Sequence, residues 1–305
     1  MEKESVFEMN KVKGIFAPIA TAFDASGEVN YNVFAENVEA FGKTKLAGLV
    51  VLGSNGEFTL LSHDEKVKLV ETARKHLPKD KMIIAGTGCE SLKETVQLTK
   101  ECAEKGADVA LVVTPNYYKK DMNEAALEKF YTMLADASPI PVMIYNMPGN
   151  SGVNVPSSLT VKLSAHPNIT GIKDSGGNIV QISEVLARAP KNFSVFAGSG
   201  SYLLATLVLG GVGGTLAVAN VVPDYCVEIQ ESFERGDLEK ARKMQLALLP
   251  LNAAVTSRFA IGGMKTAMDM VGFKGGLPRL PILPASEETK KEISRILKEL
   301  GIPTV

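Results

Sequence analysis

The chain has 305 residues, 45% of them hydrophobic, and its 33 basic and 34 acidic side chains give a formal net charge of −1. This length and apolar content are sufficient for one barrel-sized domain or two smaller domains. The charges are interspersed, with no basic stripe for nucleic acid or an anionic membrane, and no apolar run is long enough to span a bilayer. We therefore expect neither nucleic acid nor a membrane as a partner.

Short β-branched runs alternate with longer helical patterns over about the first 220 residues. Most of these runs are apolar throughout, as strands of a buried parallel sheet are. Eight strands are predicted, at residues 14–21, 48–52, 82–86, 109–113, 141–145, 169–173, 194–197 and 214–218.

Helical segments are predicted between these strands. Residues 62–65 (SHDE) and 91–94 (SLKE) both fit the capping box S-x-x-E, and residues 123–137, 178–189 and 201–209 fit later helices. Such an eightfold alternation is typical of an α/β fold of the (β/α)8 TIM barrel type. No GxGxxG follows the first strand, which disfavours a dinucleotide-binding open sheet.

The strand pattern stops near residue 237. Residues 237–249, 252–271 and 286–300 have helical patterns, and a Gly/Pro-rich break covers residues 275–284. We therefore predict a barrel over residues 1–236, which carries the active site, and a C-terminal helical region over residues 237–305 packed beside it.

Cysteine and histidine are scarce. Three scattered cysteines without a CxxC pair are typical of reduced thiols in a cytoplasmic protein, and the charged start MEKE lacks the apolar core of a secretory signal. A cytoplasmic location is therefore expected. The three histidines form no HxxxH or HExxH pair, so neither a zinc site nor a Ser-His-Asp triad is expected.

Lys173 ends the sixth predicted strand, where the apolar run meets the loop DSGGN. In a barrel, reacting groups lie at the C-terminal ends of the strands. Burial there disfavours a charged ammonium, and a neutral amine can attack a carbonyl carbon and form a Schiff base. Taken alone, Lys173 is more simply a solvated loop lysine.

Other strand ends also carry polar groups. Residues 53–56 (GSNG) form a turn that could hold a carboxylate on its N–H groups, or a plain turn. Tyr145 could transfer protons or be a half-buried strand tyrosine. Tyr117 and Tyr118 could pack within the chain or form an interface pair, and interface packing fits at least one of them better. Residues 198–201 (GSGS) fit a tight turn with an N-cap better than a phosphate site.

Five segments together resemble the dihydrodipicolinate synthase/N-acetylneuraminate lyase family, which comprises pyruvate-handling class I aldolases on (β/α)8 barrels. The resemblance covers nearly the whole chain, and four of the segments lie at predicted strand ends. The segments are residues 53–57 (GSNGE), 114–118 (TPNYY), 145–148 (YNMP), 171–175 (GIKDS) and 279–281 (RLP).

The resemblance implies that Lys173 condenses with the ketone of pyruvate or another 2-oxo acid. Tyr145 would relay protons, and Ser54 and Tyr117 would carry them onward. Tyr117 would come from the adjacent subunit of a tight dimer, and two dimers commonly form a tetramer. Ser54 and Asn55 would hold the substrate carboxylate through their N–H groups. Because the iminium is the electron sink, no metal or organic cofactor is expected.

One departure concerns the substrate. Synthases of the lysine precursor usually have an arginine two residues after the proline of the Tyr-Asn-x-Pro run, where it binds the carboxylate of aspartate semialdehyde; this chain has Asn150. Residues 85–91, 173–177 and 252–259 instead look like the 4-hydroxy-2-oxoglutarate aldolase branch. In that branch Ser175 could hydrogen-bond the distal half of the substrate.

The sequence thus predicts a class I aldolase that cleaves a 4-hydroxy-2-oxo acid such as 4-hydroxy-2-oxoglutarate to pyruvate and an aldehyde such as glyoxylate. The alternatives are a synthase that condenses pyruvate with aspartate semialdehyde, and a non-catalytic barrel that binds a 2-oxo acid. Lys173, Tyr145, Ser54 and Tyr117 are the predicted catalytic residues, and Ser54, Asn55, Ser175, Asn150 and Thr215 are the predicted substrate-binding residues.

Overall fold

The computed structural model describes residues 12–305, so the charged start MEKE lies outside the described residues. Eight parallel strands close into a barrel in chain order, and the predicted (β/α)8 fold is confirmed. The last strand pairs with the first, from Gly14 opposite Gly213 to Phe16 opposite Thr215. The strands are β1 Gly14–Pro18, β2 Gly48–Val51, β3 Met82–Gly86, β4 Val109–Val113, β5 Val142–Asn146, β6 Ile169–Asp174, β7 Ser194–Ala197 and β8 Gly213–Thr215.

Helices connect the strands and cover the outside of the barrel. Among residues 12–305, no helix combines the length and apolar character needed to cross a bilayer. The helices are α1 Tyr31–Gly42, α2 His63–His76, α3 Leu92–Glu104, α4 Glu124–Ala137, α5 Pro148–Ser151, α6 Ser157–Leu163, α7 Ile179–Arg188, α8 Leu203–Val208, α9 Pro223–Glu234, α10 Leu238–Ala253, α11 Ala260–Met270 and α12 Glu287–Glu299.

Apolar side chains fill the inside of the barrel. Phe16 and Phe196, from β1 and β7, have ring centroids 5.7 Å apart and pack with Val50, Ile84 and Met143 in one buried cluster. These residues occupy alternate strand positions, since successive strand side chains point to opposite faces. A packed interior leaves the C-terminal end of the barrel as the place for a small-molecule site.

The helix N-termini confirm one predicted capping box and correct the other. At α2, the Ser62 hydroxyl accepts from the Glu65 N–H and the Glu65 carboxylate accepts from the Ser62 N–H. At α3, Ser91 accepts from the Glu94 N–H, but the Glu94 carboxylate contacts Nδ1 of His63 at 2.7 Å. The second box is therefore incomplete because a tertiary contact competes with the local one.

Two predicted boundaries at the strand ends are wrong. The first strand ends at Pro18 rather than at residue 21, and the last ends at Thr215, after which residues Ala217–Asn220 form a 3₁₀ helix. No helix is predicted over α9, although Pro223 occupies the first turn of this helix, a position that proline favours.

The C-terminal helices α10 to α12 pack on the same apolar core as the barrel. Leu248, Met264 and Ile293 belong to the buried cluster that also contains Ile15 of β1. The prediction of one helix over residues 252–271 is wrong. The chain forms a π-helical turn over Ala254–Arg258, and Ala260 has φ +46°, which a right-handed helix does not accommodate.

Candidate active site

Lys173 and Tyr145 lie side by side at the C-terminal end of the barrel. They are directly opposite each other in the pairing of β5 with β6, so both side chains point to the same face of the sheet. Lys173 is only 3% exposed and Tyr145 only 5%. The Lys173 Nζ lies 4.0 Å from the centroid of the Tyr145 ring. The structure thus brings together the two residues predicted to carry the chemistry.

Ser54 approaches this pair from the turn that follows β2. It begins the short 3₁₀ helix Ser54–Gly56 that follows β2, and its hydroxyl lies 3.2 Å from the Tyr145 hydroxyl. The N–H groups at the start of such a turn have no intrahelical acceptor. The turn therefore presents a side-chain hydroxyl and backbone donors beside the same phenol.

The surroundings of Tyr145 favour its ionised form. Burial by itself raises the pKa of the phenol. The positive charge of Lys173, together with hydrogen bonds from Ser54, Lys173 and Ser175, outweighs burial and holds the pKa below its usual value. A phenol in this position gives up its proton more readily than an ordinary tyrosine.

Ser175 and Thr215 add hydroxyl groups next to this cluster. A Cβ on Gly198 would lie 2.0 Å from the Ser175 Oγ, so only glycine leaves room for this serine on the neighbouring strand. Thr215 is buried and pairs with Phe16, a residue of the barrel interior, so its side chain points inward as well. Its hydroxyl has no hydrogen-bond partner within residues 12–305, which leaves it free for a ligand.

The buried carboxylate of Asp174, the residue that follows Lys173, was not predicted. Asp174 accepts hydrogen bonds from Asn146 Nδ2 at 2.9 Å, from Gln181 Nε2 at 3.1 Å and from the Gly176 N–H at 2.9 Å. Its backbone carbonyl accepts from the Tyr202 hydroxyl at 2.9 Å. These bonds fix the ends of β5 and β6 relative to each other. An aspartate directly after an apolar strand is the signal that could have indicated them.

The side chains of Asn55, Asn150 and Tyr117 are directed elsewhere, although Asn55 belongs to the same turn as Ser54. Asn55 directs its side-chain amide to Met264 of α11, with Nδ2 3.0 Å from Sδ. Asn150 is exposed in the single turn of α5. Tyr117 is 77% exposed and packs edge to face on Tyr118 at the surface, with ring centroids 5.2 Å apart. Within one chain, Tyr117 is therefore not part of the buried cluster.

A cation lies against the turn that carries Asn150. The side chain of the exposed Lys119 crosses Gly152, and its Nζ would be 3.1 Å from a Cβ at that glycine. Within residues 12–305, no group of three or more His, Cys, Asp or Glu side chains is arranged to hold a metal ion.

Comparisons with known proteins find relatives along nearly the whole chain. The model of the "Dihydrodipicolinate synthetase family" matches residues 11–300. A 4-hydroxy-tetrahydrodipicolinate synthase from Methanothrix thermoacetophila is 35% identical, over 95% of this chain and 97% of the relative. A probable mitochondrial 4-hydroxy-2-oxoglutarate aldolase from Emericella nidulans is 36% identical, over 91% of each chain.

Solved structures show the same likeness in three dimensions. The crystal structure of dihydrodipicolinate synthase from Thermotoga maritima superimposes with a TM-score of 0.91 at 31% identity, over 96% of this chain and all of that chain. Together with the match over residues 11–300, this likeness makes the family clear. The chain belongs to the dihydrodipicolinate synthetase family, whose members are pyruvate-dependent lyases and synthases.

Proposed function

We propose that this protein is a class I aldolase in which Lys173 forms a Schiff base with pyruvate and Tyr145 moves the protons. The observation that carries the proposal is the buried contact of Lys173 with Tyr145, whose hydroxyl lies 3.2 Å from that of Ser54. A buried amine next to a phenol of lowered pKa combines a nucleophile with a proton donor and acceptor.

The chemistry follows from these positions. The neutral Lys173 amine adds to C2 of a 4-hydroxy-2-oxo acid, Tyr145 protonates the former carbonyl oxygen, and loss of water leaves an iminium. Tyr145, now a phenolate, takes the proton of the C4 hydroxyl. The C3–C4 bond then breaks, its electrons pass to the iminium nitrogen as an enamine forms, and an aldehyde leaves. Protonation at C3 and hydrolysis release pyruvate and the amine.

Throughout these steps, the N–H groups of the turn that contains Ser54 and Asn55 hold the substrate carboxylate next to the nucleophile. Thr215 and Ser175 contribute hydroxyl groups that can bond the distal part of the substrate. The unpartnered buried hydroxyl of Thr215 supports this assignment, because buried polar groups normally have a partner.

For the partner aldehyde, Asn150 disfavours aspartate semialdehyde and permits cleavage of 4-hydroxy-2-oxoglutarate to pyruvate and glyoxylate. An asparagine offers a neutral donor where the synthases have a guanidinium that binds a carboxylate with two hydrogen bonds. Each such bond is worth on the order of 1 kcal/mol, so this position alone disfavours aspartate semialdehyde by several tens-fold in kcat/KM.

The second candidate is the synthase reaction, condensation of pyruvate with aspartate semialdehyde. The names of the relatives favour it, since the family model, the Methanothrix thermoacetophila relative and the superimposed structure all carry the name of a synthase or synthetase. Lys119 also supports it, because its Nζ lies against Gly152 of the turn that carries Asn150. In that reaction Lys119 would supply the cation that residue 150 lacks.

Two assays test the proposal. Treatment with pyruvate and borohydride should add one reduced adduct, which peptide mass spectrometry maps to Lys173; an adduct of equal yield in Lys173→Ala would contradict the assignment. Pyruvate release from 4-hydroxy-2-oxoglutarate should exceed condensation with aspartate semialdehyde. The opposite ranking, with a loss of about tenfold in Lys119→Met but not in the matched control Lys120→Met, would establish the synthase.

Tyr117 completes the site of the adjacent subunit in a homodimer, or in a tetramer built from two dimers. Its exposure of 77% in the single chain supports this role. Mixing inactive Lys173→Ala with Tyr117→Phe, followed by refolding together, should restore activity. Hybrid dimers contain one site with both native residues, whereas a site built within one chain would gain nothing from mixing.

A further inference from the structure

The turn that carries Ser54 and Asn55 is bonded to the C-terminal helical region through a buried ion pair. Glu57 closes this turn, and its Oε1 lies 2.6 Å from the Nζ of Lys265 in α11. The Glu57 side chain is completely buried and that of Lys265 is 2% exposed. Because both charges are removed from water, the pair is stable only if each charge is also bonded to other groups.

Both charges have those additional bonds. Lys265 Nζ donates to the carbonyl oxygens of Thr21 and Leu277, each at 2.7 Å. The second oxygen of Glu57 accepts from the Arg279 N–H at 2.8 Å. The Lys265 ammonium therefore joins three segments, namely the loop after β1, the turn after β2, and the loop after α11.

Neighbouring contacts hold the same turn. The Thr21 hydroxyl donates to the Gly56 carbonyl at 2.7 Å, and Asn55 Nδ2 lies 3.0 Å from Sδ of Met264, the residue before Lys265. The backbone of Glu57 has φ +56°, a left-handed conformation that residues other than glycine seldom adopt. Such a conformation persists where the surrounding contacts determine it. The ion pair and these hydrogen bonds are the contacts that do so here.

We propose that Glu57 and Lys265 are positioning residues, whose ion pair fixes the turn so that the Ser54 and Asn55 N–H groups face the substrate carboxylate. The inference rests on the proposed function, in which this turn holds that carboxylate. Neither side chain touches substrate, and their effect passes through the backbone between Ser54 and Glu57. The helical region after the barrel thus determines the geometry of a barrel loop.

This role makes a selective prediction about ligands. Pyruvate presents a carboxylate to the turn, whereas pyruvamide has the same shape and ketone but carries no charge. Loosening the turn should weaken the imine with pyruvate and leave the imine with pyruvamide nearly unchanged. A general loss of stability would weaken both imines together.

The test uses the full chain and two variants. Glu57→Gln combined with Lys265→Met removes both charges at once, which avoids leaving one buried charge without its partner. Glu57→Asp keeps both charges but shortens the reach to Lys265, and it provides the readout if the double variant does not fold. Arg295→Met is the control, because it removes an exposed cation of α12 that is paired with Glu292 and Glu299.

The measurement is the concentration of each ketone that gives half-maximal borohydride trapping at Lys173. For pyruvate it should rise about tenfold or more in the double variant and about threefold or more in Glu57→Asp, as expected for a weakened charge-assisted hydrogen bond. For pyruvamide it should change by less than about twofold, and Arg295→Met should change neither value.

Two results would overturn the inference: equal changes for both ketones, or no change for pyruvate in a folded variant. Failure of the proposed function has a different signature, because the native protein would then give no pyruvate adduct at Lys173 at all.

Discussion

Among residues 12–305, two lysines are buried, Lys173 at the end of β6 and Lys265 in α11, and their surroundings differ. Lys265 has a carboxylate at 2.6 Å and two backbone carbonyls at 2.7 Å. Lys173 has no carboxylate partner of this kind in the described chain and lies over the ring of Tyr145. Both ammonium groups lose hydration, but only one of them receives a full set of acceptors in return.

The partners of the two buried lysines, rather than their burial, distinguish the proposed nucleophile Lys173 from the ion-paired Lys265. Burial lowers the pKa of Lys265, and the attraction of Glu57 opposes this effect. The carboxylate and the two carbonyls stabilise the ammonium form of Lys265. An ammonium has no lone pair with which to attack a ketone. Lys173 has no such carboxylate within residues 12–305, and its Nζ lies over the ring of Tyr145 instead.

The largest expected effect is the loss of turnover in Lys173→Met. We expect kcat to fall on the order of 10⁴-fold or more, because no other group forms the Schiff base. The free energy of unfolding should stay the same or increase, since an apolar side chain replaces a buried polar group that has no ion pair. Steady-state kinetics and urea denaturation measure the two quantities. If kcat stayed within about tenfold of the native value, Lys173 would not be the nucleophile. The proposed difference in role between Lys173 and Lys265 would then be contradicted.

Tyr145→Phe tests the phenol that lies beside Lys173 in place of a carboxylate. Proton transfer typically contributes about 10²–10⁴-fold to kcat, and we expect a loss in that range with only a few-fold change in the half-saturating substrate concentration. The phenyl ring can still pack beside Lys173. If kcat stayed within a few-fold of the native value in steady-state assays, the proton relay would have to be assigned elsewhere.

Lys265→Met tests the structural cation. We expect a loss of about 3–5 kcal/mol in the free energy of unfolding, because the Glu57 carboxylate is left buried without its partner. Combining it with Glu57→Gln should recover a large part of this loss. Urea denaturation of the single and double variants measures the difference. Equal stabilities of native protein and single variant would mean that the ion pair contributes nothing to the fold.

The smallest effect concerns His63, a cation with two carboxylates at the surface. Hydrogen bonds to Glu101 and Glu94 raise its pKa above the usual value. The folded protein therefore holds the proton more tightly, so the stabilisation is fully present below about pH 6.5 and is lost as pH rises through the folded pKa. His63→Asn should cost up to about 1 kcal/mol at pH 5.5 and less at pH 9.

The control for this prediction is Glu94→Gln combined with Glu101→Gln. In that background His63→Asn should show no pH-dependent cost in urea denaturation, since the two acceptors that retain the proton are gone. A cost that grows with pH in the native background would reverse the sign of the assignment.

Strand positions could be predicted closely from the sequence. Residues Met82–Gly86, Val109–Val113 and Ser194–Ala197 have the predicted bounds. Strands of a parallel barrel are covered on both faces, so they occur as unbroken apolar runs that are easily separated from amphipathic helices. The helix over residues 252–271 was mispredicted because a local pattern does not reveal the positive φ of Ala260.

The sequence by itself determined the ends of β2, β5 and β6 to within one residue and the kinds of groups placed there, namely a hydroxyl at Ser54, a phenol at Tyr145 and an amine at Lys173. Local sequence patterns indicate these three groups, since each residue lies in or next to an apolar run that predicts a strand. Only the tertiary structure decided which lysine is paired with a carboxylate and where the carboxylate of Glu94 binds. Those partners come from elements far apart in the chain, and their distances are set by packing rather than by neighbouring residues.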